Sequence, residues 1–202
     1  LFGVSEGGAL CSLFAATYPE RTLKLVIDGS YARSMWAPDY PWGKTEEMRD
    51  RYFAYMEEHW GGDVMIHRRA PGLARDPAFR EWWSNYLRMS ASPGAAVAFS
   101  RMNWQIDIRH VLPTIRVPTL VIHRTGDTAM RVENGRYLAE HIPSARYVEL
   151  PGDDHLPFTG DMDAVLDVVE PFLTGTEPTR QAHPVLATVM MTQIVEAMAI
   201  AA

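Results

Sequence analysis

The first eight residues, Leu1-Phe2-Gly3-Val4-Ser5-Glu6-Gly7-Gly8, decide the fold of this chain. A short apolar run leads into Gly-x-Ser-x-Gly, and small residues follow where a helix can start. The pattern is typical of a nucleophile elbow, a sharp turn from strand to helix that exposes a serine hydroxyl at its tip. Such a turn is strained and crowded, so we expect that no side chain fits at Gly3 or Gly7.

Composition and charge narrow the class of protein. The chain has 202 residues, 47% of them hydrophobic and 22% charged, which favours one soluble domain with a small insertion. The net charge of -6 argues against nucleic-acid binding, since phosphate contacts need a basic face. No apolar run reaches the ~18 residues of a membrane span. A single cysteine, Cys11, predicts a buried packing residue and a reducing, cytoplasmic setting.

Strands alternate with helices along most of the chain, which predicts an α/β fold with a mostly parallel sheet. The strands are expected at residues 1–4, 23–27, 119–123 and 146–150, and the helices at 8–18, 133–141 and 161–173. In such a sheet the functional residues follow the carboxyl ends of the strands.

Residues 31–105 interrupt this alternation and predict a helical lid over the strand ends. The segment contains all six tryptophans and has helix starts at Thr45, at Asp76-Pro77 and at Ser92-Pro93. Aromatic side chains recur at helical spacing between Phe79 and Leu87. They suit a packed core, and they also suit the lining of an apolar substrate pocket.

Three chemically capable residues follow predicted strand ends in the order Ser5, Asp127, His155. A serine hydroxyl needs a base to become a nucleophile, an imidazole has the right pKa for that task, and a carboxylate orients the imidazole. We therefore predict a catalytic triad of these residues. The backbone N–H of Glu6, at the start of the helix, is the expected oxyanion donor.

Other assignments of the same chemistry are open. Asp28 also follows a strand and ranks second as the partner of His155. Asp153 and Asp154 lie close to the histidine in sequence and are expected to cap the loop. A metal site at residues 59–67 (His59, Asp63 and His67) is disfavoured, because the two glycines between them break any helix. The sequence predicts no metal and no cofactor.

The segments around these residues resemble the α/β-hydrolases from residue 1 to about 173. The matching segments are GVSEGG (3–8), VPTLVIHRTGD (117–127) and ELPGDDH (149–155). More narrowly, residues 5–33, 36–43 and 135–158 resemble the hydrolase module that precedes a class III adenylate/guanylate cyclase in some two-module proteins. In that fold about four strands precede the elbow, and a loop after the third supplies a second oxyanion amide. The resemblance implies that these strands are missing from this chain.

The end of the chain is expected to begin a second module. Residues 174–184 read as a polar linker, and 185–202 resemble the truncated opening of the cyclase domain. Gln193 stands where that family has a metal-binding aspartate, so no cyclase activity is expected. In the parent protein, the resemblance implies a homodimer through the cyclase domain.

The sequence therefore predicts a serine hydrolase, esterase-like, that acts on a small apolar acyl or ester substrate. Peroxidase-like and carbon–carbon bond hydrolase activities use the same triad and are also open. The alternative from another class is a non-catalytic ligand-sensing module that regulates a cyclase.

Overall fold

The computed structural model describes residues 1–143 and 145–176. The expected cyclase-like opening and most of the predicted linker lie outside these residues and stay predictions. The strands are β1 (Phe2–Val4), β2 (Leu25–Asp28), β3 (Thr119–Arg124) and β4 (Arg146–Leu150). The helices are α1 (Glu6–Thr17), α2 (Glu46–His59), α3 (Ile66–Arg69), α4 (Pro77–Ser90), α5 (Pro93–Asn103), α6 (Val132–His141) and α7 (Met162–Thr174).

The four strands form one parallel sheet in the order β1-β2-β3-β4. Every residue of β2 and β3 is buried, as expected for central strands of a parallel sheet covered on both faces. In register, Val4 pairs with Asp28, and Asp28 pairs with Ile122. The carboxyl ends of the strands therefore lie side by side at one rim, and the predicted α/β fold is confirmed.

The helices between β2 and β3 have a core of their own. Phe53, Met56, Trp83 and Leu87 pack together in it, away from the apolar residues that cover the sheet. The three long helices of this segment, α2, α4 and α5, begin at caps that the sequence predicted. The side chain of Thr45 accepts from Met48 N, that of Asp76 from Ala78 N and Phe79 N, and that of Ser92 from Ala95 N. We call residues 46–103 the inserted helices.

Two details differ from expectation. Tyr40, inside the predicted lid segment, is fully buried in the core that covers the sheet, because its hydroxyl donates to Asn134 Oδ1 of α6 at 2.6 Å. Cys11 is half-buried and packs against the edge of that core rather than inside it. Among residues 1–143 and 145–176, no helix has both the length and the apolar character that crossing a bilayer requires.

Candidate active site

The elbow lies between β1 and α1. Ser5 has φ of 54° and ψ of -129°, a positive-φ conformation that residues other than glycine rarely adopt. A Cβ at Gly3 would lie 2.6 Å from the carbonyl oxygen of Gly7, and a Cβ at Gly8 would overlap the side chain of Ser30. The two glycines therefore let the helix lie directly against the sheet, and this close packing holds Ser5 in its strained backbone conformation.

The expectation for Gly7 was wrong. A Cβ at this position would meet no atom within 4 Å, so the crowded pair is Gly3 and Gly8. The reason is the direction of the helix: α1 starts at Glu6, and position 7 faces away from the sheet while position 8 faces β2.

Ser5 places a side-chain hydroxyl at this turn, and Glu6 places a backbone N–H there. Ser5 is 7% exposed, and its Oγ makes no hydrogen bond within the described residues. The N–H of Glu6 is in the first turn of α1, where backbone donors have no intrahelical acceptor. The helix N-terminus also favours negative charge. A candidate nucleophile and a candidate donor for an oxyanion thus lie on consecutive residues.

Asp127 and His155 are directly hydrogen-bonded. Asp127 follows β3, His155 follows β4, and the imidazole Nδ1 lies 2.7 Å from Asp127 Oδ2 with both residues buried. The other carboxylate oxygen, Oδ1, accepts from the backbone N–H groups of Ala129 and Met130. The carboxylate is therefore fixed, and it directs Nδ1–H of the ring toward itself and leaves Nε2 as the nitrogen available to a nucleophile.

Ser5 lies at the same rim as this pair. Its N–H donates to the carbonyl oxygen of Asp28 at 3.0 Å, next to Gly29. A Cβ at Gly29 would lie 3.3 Å from Nδ1 and Cε1 of the His155 ring. The imidazole thus lies at the end of β2, the strand that pairs with β1, and β1 leads into the elbow. The structure shows the hydrogen bond between His155 and Asp127 and shows none between Ser5 and His155.

Asp28, the competing partner for the histidine, is buried at the end of β2 but has no hydrogen bond to His155. Burial raises the pKa of its carboxyl to about 6, which the positive charge of Arg124 only partly opposes. The geometry therefore favours Asp127 over Asp28 as the residue that orients the imidazole.

Arg124, which the sequence analysis did not single out, holds the histidine loop. This buried guanidinium at the end of β3 donates to the carbonyl oxygens of Asp154 and Leu156, both at 2.9 Å, on either side of His155. The N–H of His155 donates to the carbonyl oxygen of Arg69 at 2.8 Å. The only sequence signal for this role was a charged residue at the end of an apolar strand.

His123 and Asp154 also support the site. His123, which showed no partner pattern in the sequence, is fully buried, and its Nε2 lies 2.8 Å from the carbonyl oxygen of Met130. Burial lowers its pKa, so the neutral ring can donate to that carbonyl and hold the Asp127 turn. Asp154 accepts from Gly72 N at 3.3 Å, which ties the histidine loop to the inserted helices.

Two of the three disfavoured metal ligands, His59 and Asp63, make other contacts. The His59 ring stacks on Tyr55, and Asp63 forms an ion pair with Arg80 at 2.5 Å. Among residues 1–143 and 145–176, no cluster of three or more His, Cys, Asp or Glu side chains could hold a metal ion.

A cavity of about 780 Å³ lies between the rim and the inserted helices, a volume typical of sites for small molecules. At the rim it is lined by Glu6 and His155, and farther out mostly by aromatic and apolar side chains such as Trp82, Tyr86 and Phe99. Trp82 and Tyr86 are half-exposed, whereas Trp83 and Leu87 on the same helix are buried. The aromatic stripe of α4 thus supplies both core and cavity wall.

Comparison with known proteins agrees with this architecture. Residues 1–160 match the family model described as alpha/beta hydrolase fold. The chain is 30% identical to a poly(3-hydroxyalkanoate) depolymerase of Ectopseudomonas oleovorans, over 91% of this chain and 64% of that protein. It is 25% identical to a pimeloyl-[acyl-carrier protein] methyl ester esterase of Neisseria meningitidis, over 87% and 69%.

A solved structure shows the same fold. An enol-lactonase from Burkholderia xenovorans superposes with a TM-score of 0.70 at 26% identity, over 86% of this chain and 64% of that one. The chain thus spans just under two thirds of the length of the depolymerase and of the enol-lactonase. Because the family model matches residues 1–160, well over half of the chain, this chain belongs to the alpha/beta hydrolase fold family.

Proposed function

We propose that this protein is a serine hydrolase that cleaves an ester with Ser5, His155 and Asp127. The observation that carries the proposal is the 2.7 Å hydrogen bond between His155 and Asp127, both buried, at the rim where the elbow holds Ser5. An oriented imidazole and a serine hydroxyl at the same rim are two of the groups that nucleophilic acyl transfer requires.

The residues suit a two-step reaction. His155 Nε2 removes the proton of Ser5 Oγ as the oxygen attacks the ester carbonyl carbon, and the N–H of Glu6 faces the oxyanion. His155 then gives its proton to the departing alkoxide, which leaves an acyl group on Ser5. Water, deprotonated by the same imidazole, attacks the acyl carbon, and the imidazolium returns the proton to Ser5 Oγ as the acid is released. Asp127 stabilises the imidazolium that forms in each half-reaction.

Two findings support an ester substrate. The depolymerase, the methyl ester esterase and the enol-lactonase are named for cleavage of ester or lactone bonds. The apolar and aromatic wall of the cavity suits a small apolar acyl or alcohol part. Peroxidase-like and carbon–carbon bond hydrolase activities would need the same three residues, so the choice of an ester rests on these relatives and not on the triad.

The test is covalent labelling by a fluorophosphonate probe, followed by mass spectrometry of the intact chain. We expect one adduct on Ser5, absent in Ser5→Ala. Ser34→Ala is the matched control, because Ser34 lines the cavity next to the rim and its Oγ, like that of Ser5, is buried without a hydrogen bond in the described structure. Labelling that survives in Ser5→Ala, or that is lost in Ser34→Ala, would contradict the assignment.

The association with a cyclase domain, and a homodimer formed through it, stay predictions from the resemblance of residues 1–173 and 185–202. A regulatory module would retain the same rim but would bind a ligand without forming a serine adduct. A cytoplasmic location likewise rests only on the single cysteine, Cys11.

A further inference from the structure

The cavity contains more positive charge than the proposed reaction uses. Its charged lining residues within the described chain are Glu6 and three cations, Lys44, Arg68 and Arg69. The whole chain carries a net charge of -6, so this positive interior runs against the overall balance. Low-dielectric walls around such charges focus the field and favour an anion in the cavity.

Lys44 is held at the cavity wall without an anionic partner. Its backbone is pinned, since its N–H donates to Ser34 O and its carbonyl oxygen accepts from Trp36 N, both at 2.9 Å. Its ammonium lies 5.0 Å from the centre of the Trp104 ring and 5.8 Å from that of Tyr31. It forms no ion pair within 4 Å among the described residues. Aromatic faces stabilise a cation only in part, so its hydrogen-bond donors remain available.

Arg69 is the second cation with free donors. Its backbone carbonyl supports His155, whereas its guanidinium makes no hydrogen bond or ion pair in the part of the chain that the structure describes. Arg68 differs, because its guanidinium donates to the carbonyl oxygen of Thr128 at 3.0 Å. A guanidinium fork matches the two oxygens of a carboxylate, and an ammonium adds a point charge beside it.

Glu6 offsets only part of this positive charge, because one carboxylate faces three cations. Burial would raise the pKa of Glu6, but hydrogen bonding and the charge of Arg69 bring the pKa below its usual value, so Glu6 is ionised. Burial, together with the neighbouring charges of Arg69 and Arg68, lowers the pKa of Lys44 to about 8. A bound anion would relieve the part of the repulsion among these cations that Glu6 leaves unbalanced.

We propose that the substrate is an ester that also carries an ionised carboxylate, and that Lys44 and Arg69 bind this carboxylate at the wall of the cavity. The inference rests on the proposed function, because it names the substrate class of the same site. The apolar side chains would then cover the carbon skeleton between the ester and the acid.

Binding of non-hydrolysable ligands tests the anion site apart from catalysis. The pair is 4-phenylbutyrate and the uncharged 4-phenylbutan-1-ol, measured by tryptophan fluorescence, since Trp104 lies beside Lys44, and by calorimetry. We expect the acid to bind about 10- to 100-fold more tightly, the range for hydrogen bonds to charged groups. Lys44→Met or Arg69→Gln should lose most of this preference, and Lys44→Arg should keep it.

Arg116→Gln is the matched control, because it removes one positive charge at an exposed position that does not line the cavity. A preference unchanged in both Lys44→Met and Arg69→Gln, with melting temperatures near that of the unmutated chain, would overturn the inference. An equal loss in Arg116→Gln would also overturn it, since net charge alone would then explain the binding.

The affinities of the acid and the alcohol, measured against pH, test the role of Lys44 in the unmutated chain. The charged groups that act on Lys44 are Arg69, Arg68, Glu6 and Asp127, and the pKa of Lys44 itself is about 8. The acid should therefore lose affinity as the pH rises from about 7 to 9.5, while the alcohol does not. In Lys44→Arg this loss should disappear, because a guanidinium stays charged. A pH-independent preference in the unmutated chain would contradict the role of Lys44.

The outcomes separate the two proposals. Serine labelling with no preference for the acid would leave the hydrolase assignment intact and refute the anion site. Acid binding that depends on Lys44 and Arg69, without any adduct on Ser5, would refute the hydrolase assignment and retain the anion site.

Discussion

The two walls of the cavity are built in different ways. At the rim of the sheet, the candidate catalytic groups are held through the main chain. The elbow fixes the backbone of Ser5, and the backbone of the His155 loop accepts hydrogen bonds from the Arg124 guanidinium and donates one to Arg69 O. Across the cavity, the inserted helices present side chains that are half-exposed, such as Trp82 and Tyr86. The candidate catalytic groups thus depend on main-chain positions, whereas the fit of a ligand in the cavity would depend on side chains that can be substituted. Four predictions test that division.

The largest effect is expected at the rim, for Asp127→Asn. An amide cannot stabilise the imidazolium and can hold the wrong tautomer of His155, so the turnover number for a nitrophenyl ester should fall about 10³- to 10⁴-fold. The Michaelis constant should change little. Asp28→Asn is the comparison: if it abolishes turnover while Asp127→Asn does not, the carboxylates have been assigned in the wrong order.

The next prediction concerns neighbouring tryptophans of α4. Trp83 is 3% exposed and its Nε1 donates to Val64 O at 2.9 Å, whereas Trp82 is 45% exposed. Trp83→Ala should cost about 3–5 kcal/mol of unfolding free energy. Trp82→Ala should cost far less stability and instead weaken the binding of apolar ligands. Urea unfolding and ligand titration measure the two effects, and equal stability losses would erase the distinction between the buried and the exposed tryptophan of the cavity wall.

The elbow glycines provide a matched pair. Gly3→Ala places a Cβ 2.6 Å from a backbone oxygen that cannot move aside, so we expect a loss of about 3 kcal/mol, at the upper end for overpacking. Gly7→Ala meets no neighbour and should stabilise the helix by about 0.5–1 kcal/mol. Thermal unfolding measures both the expected loss of stability in Gly3→Ala and the expected gain in Gly7→Ala. A destabilised Gly7→Ala would restore the symmetric elbow that the sequence suggested.

The smallest effect is expected from the buried carboxyl of Asp28. Its pKa is raised from 3.8 to about 6, so the protonated form stabilises the fold fully below pH 3.8, and this contribution is lost as the pH rises through 6. Between pH 4 and pH 7.5 the free energy of unfolding of the unmutated chain should therefore fall by on the order of 2 kcal/mol relative to that of Asp28→Asn. Chemical unfolding at the two pH values checks this, and a constant difference between the proteins would contradict it.

Most of the secondary structure could be predicted because its signals are local. The strand at 119–123 is an uninterrupted β-branched and apolar run, and it is observed at Thr119–Arg124. The caps at Thr45 and Asp76 placed helix starts correctly. Helix α3 (Ile66–Arg69) was missed, because one turn has no periodicity to detect and its position depends on contacts with the histidine loop.

The candidate site was predictable in its members but not in its supports. Ser5, Asp127 and His155 each follow a predicted strand, so their meeting at one rim follows from parallel order. The roles of Arg124 and His123 could not be predicted, since each acts through contacts with loops about 7 to 30 residues away along the chain.

The sequence by itself determined that strands and helices alternate, and that a serine, an acid and a histidine follow strands in that order. Only the tertiary structure decided that Gly8 and not Gly7 is the crowded glycine, that Asp127 and not Asp28 holds the imidazole, and that Lys44 and Arg69 face a common cavity. The physical reason is range. Turn and helix preferences depend on neighbouring residues, whereas crowding, hydrogen-bond partners and uncompensated charge depend on which distant segments the folded sheet brings together.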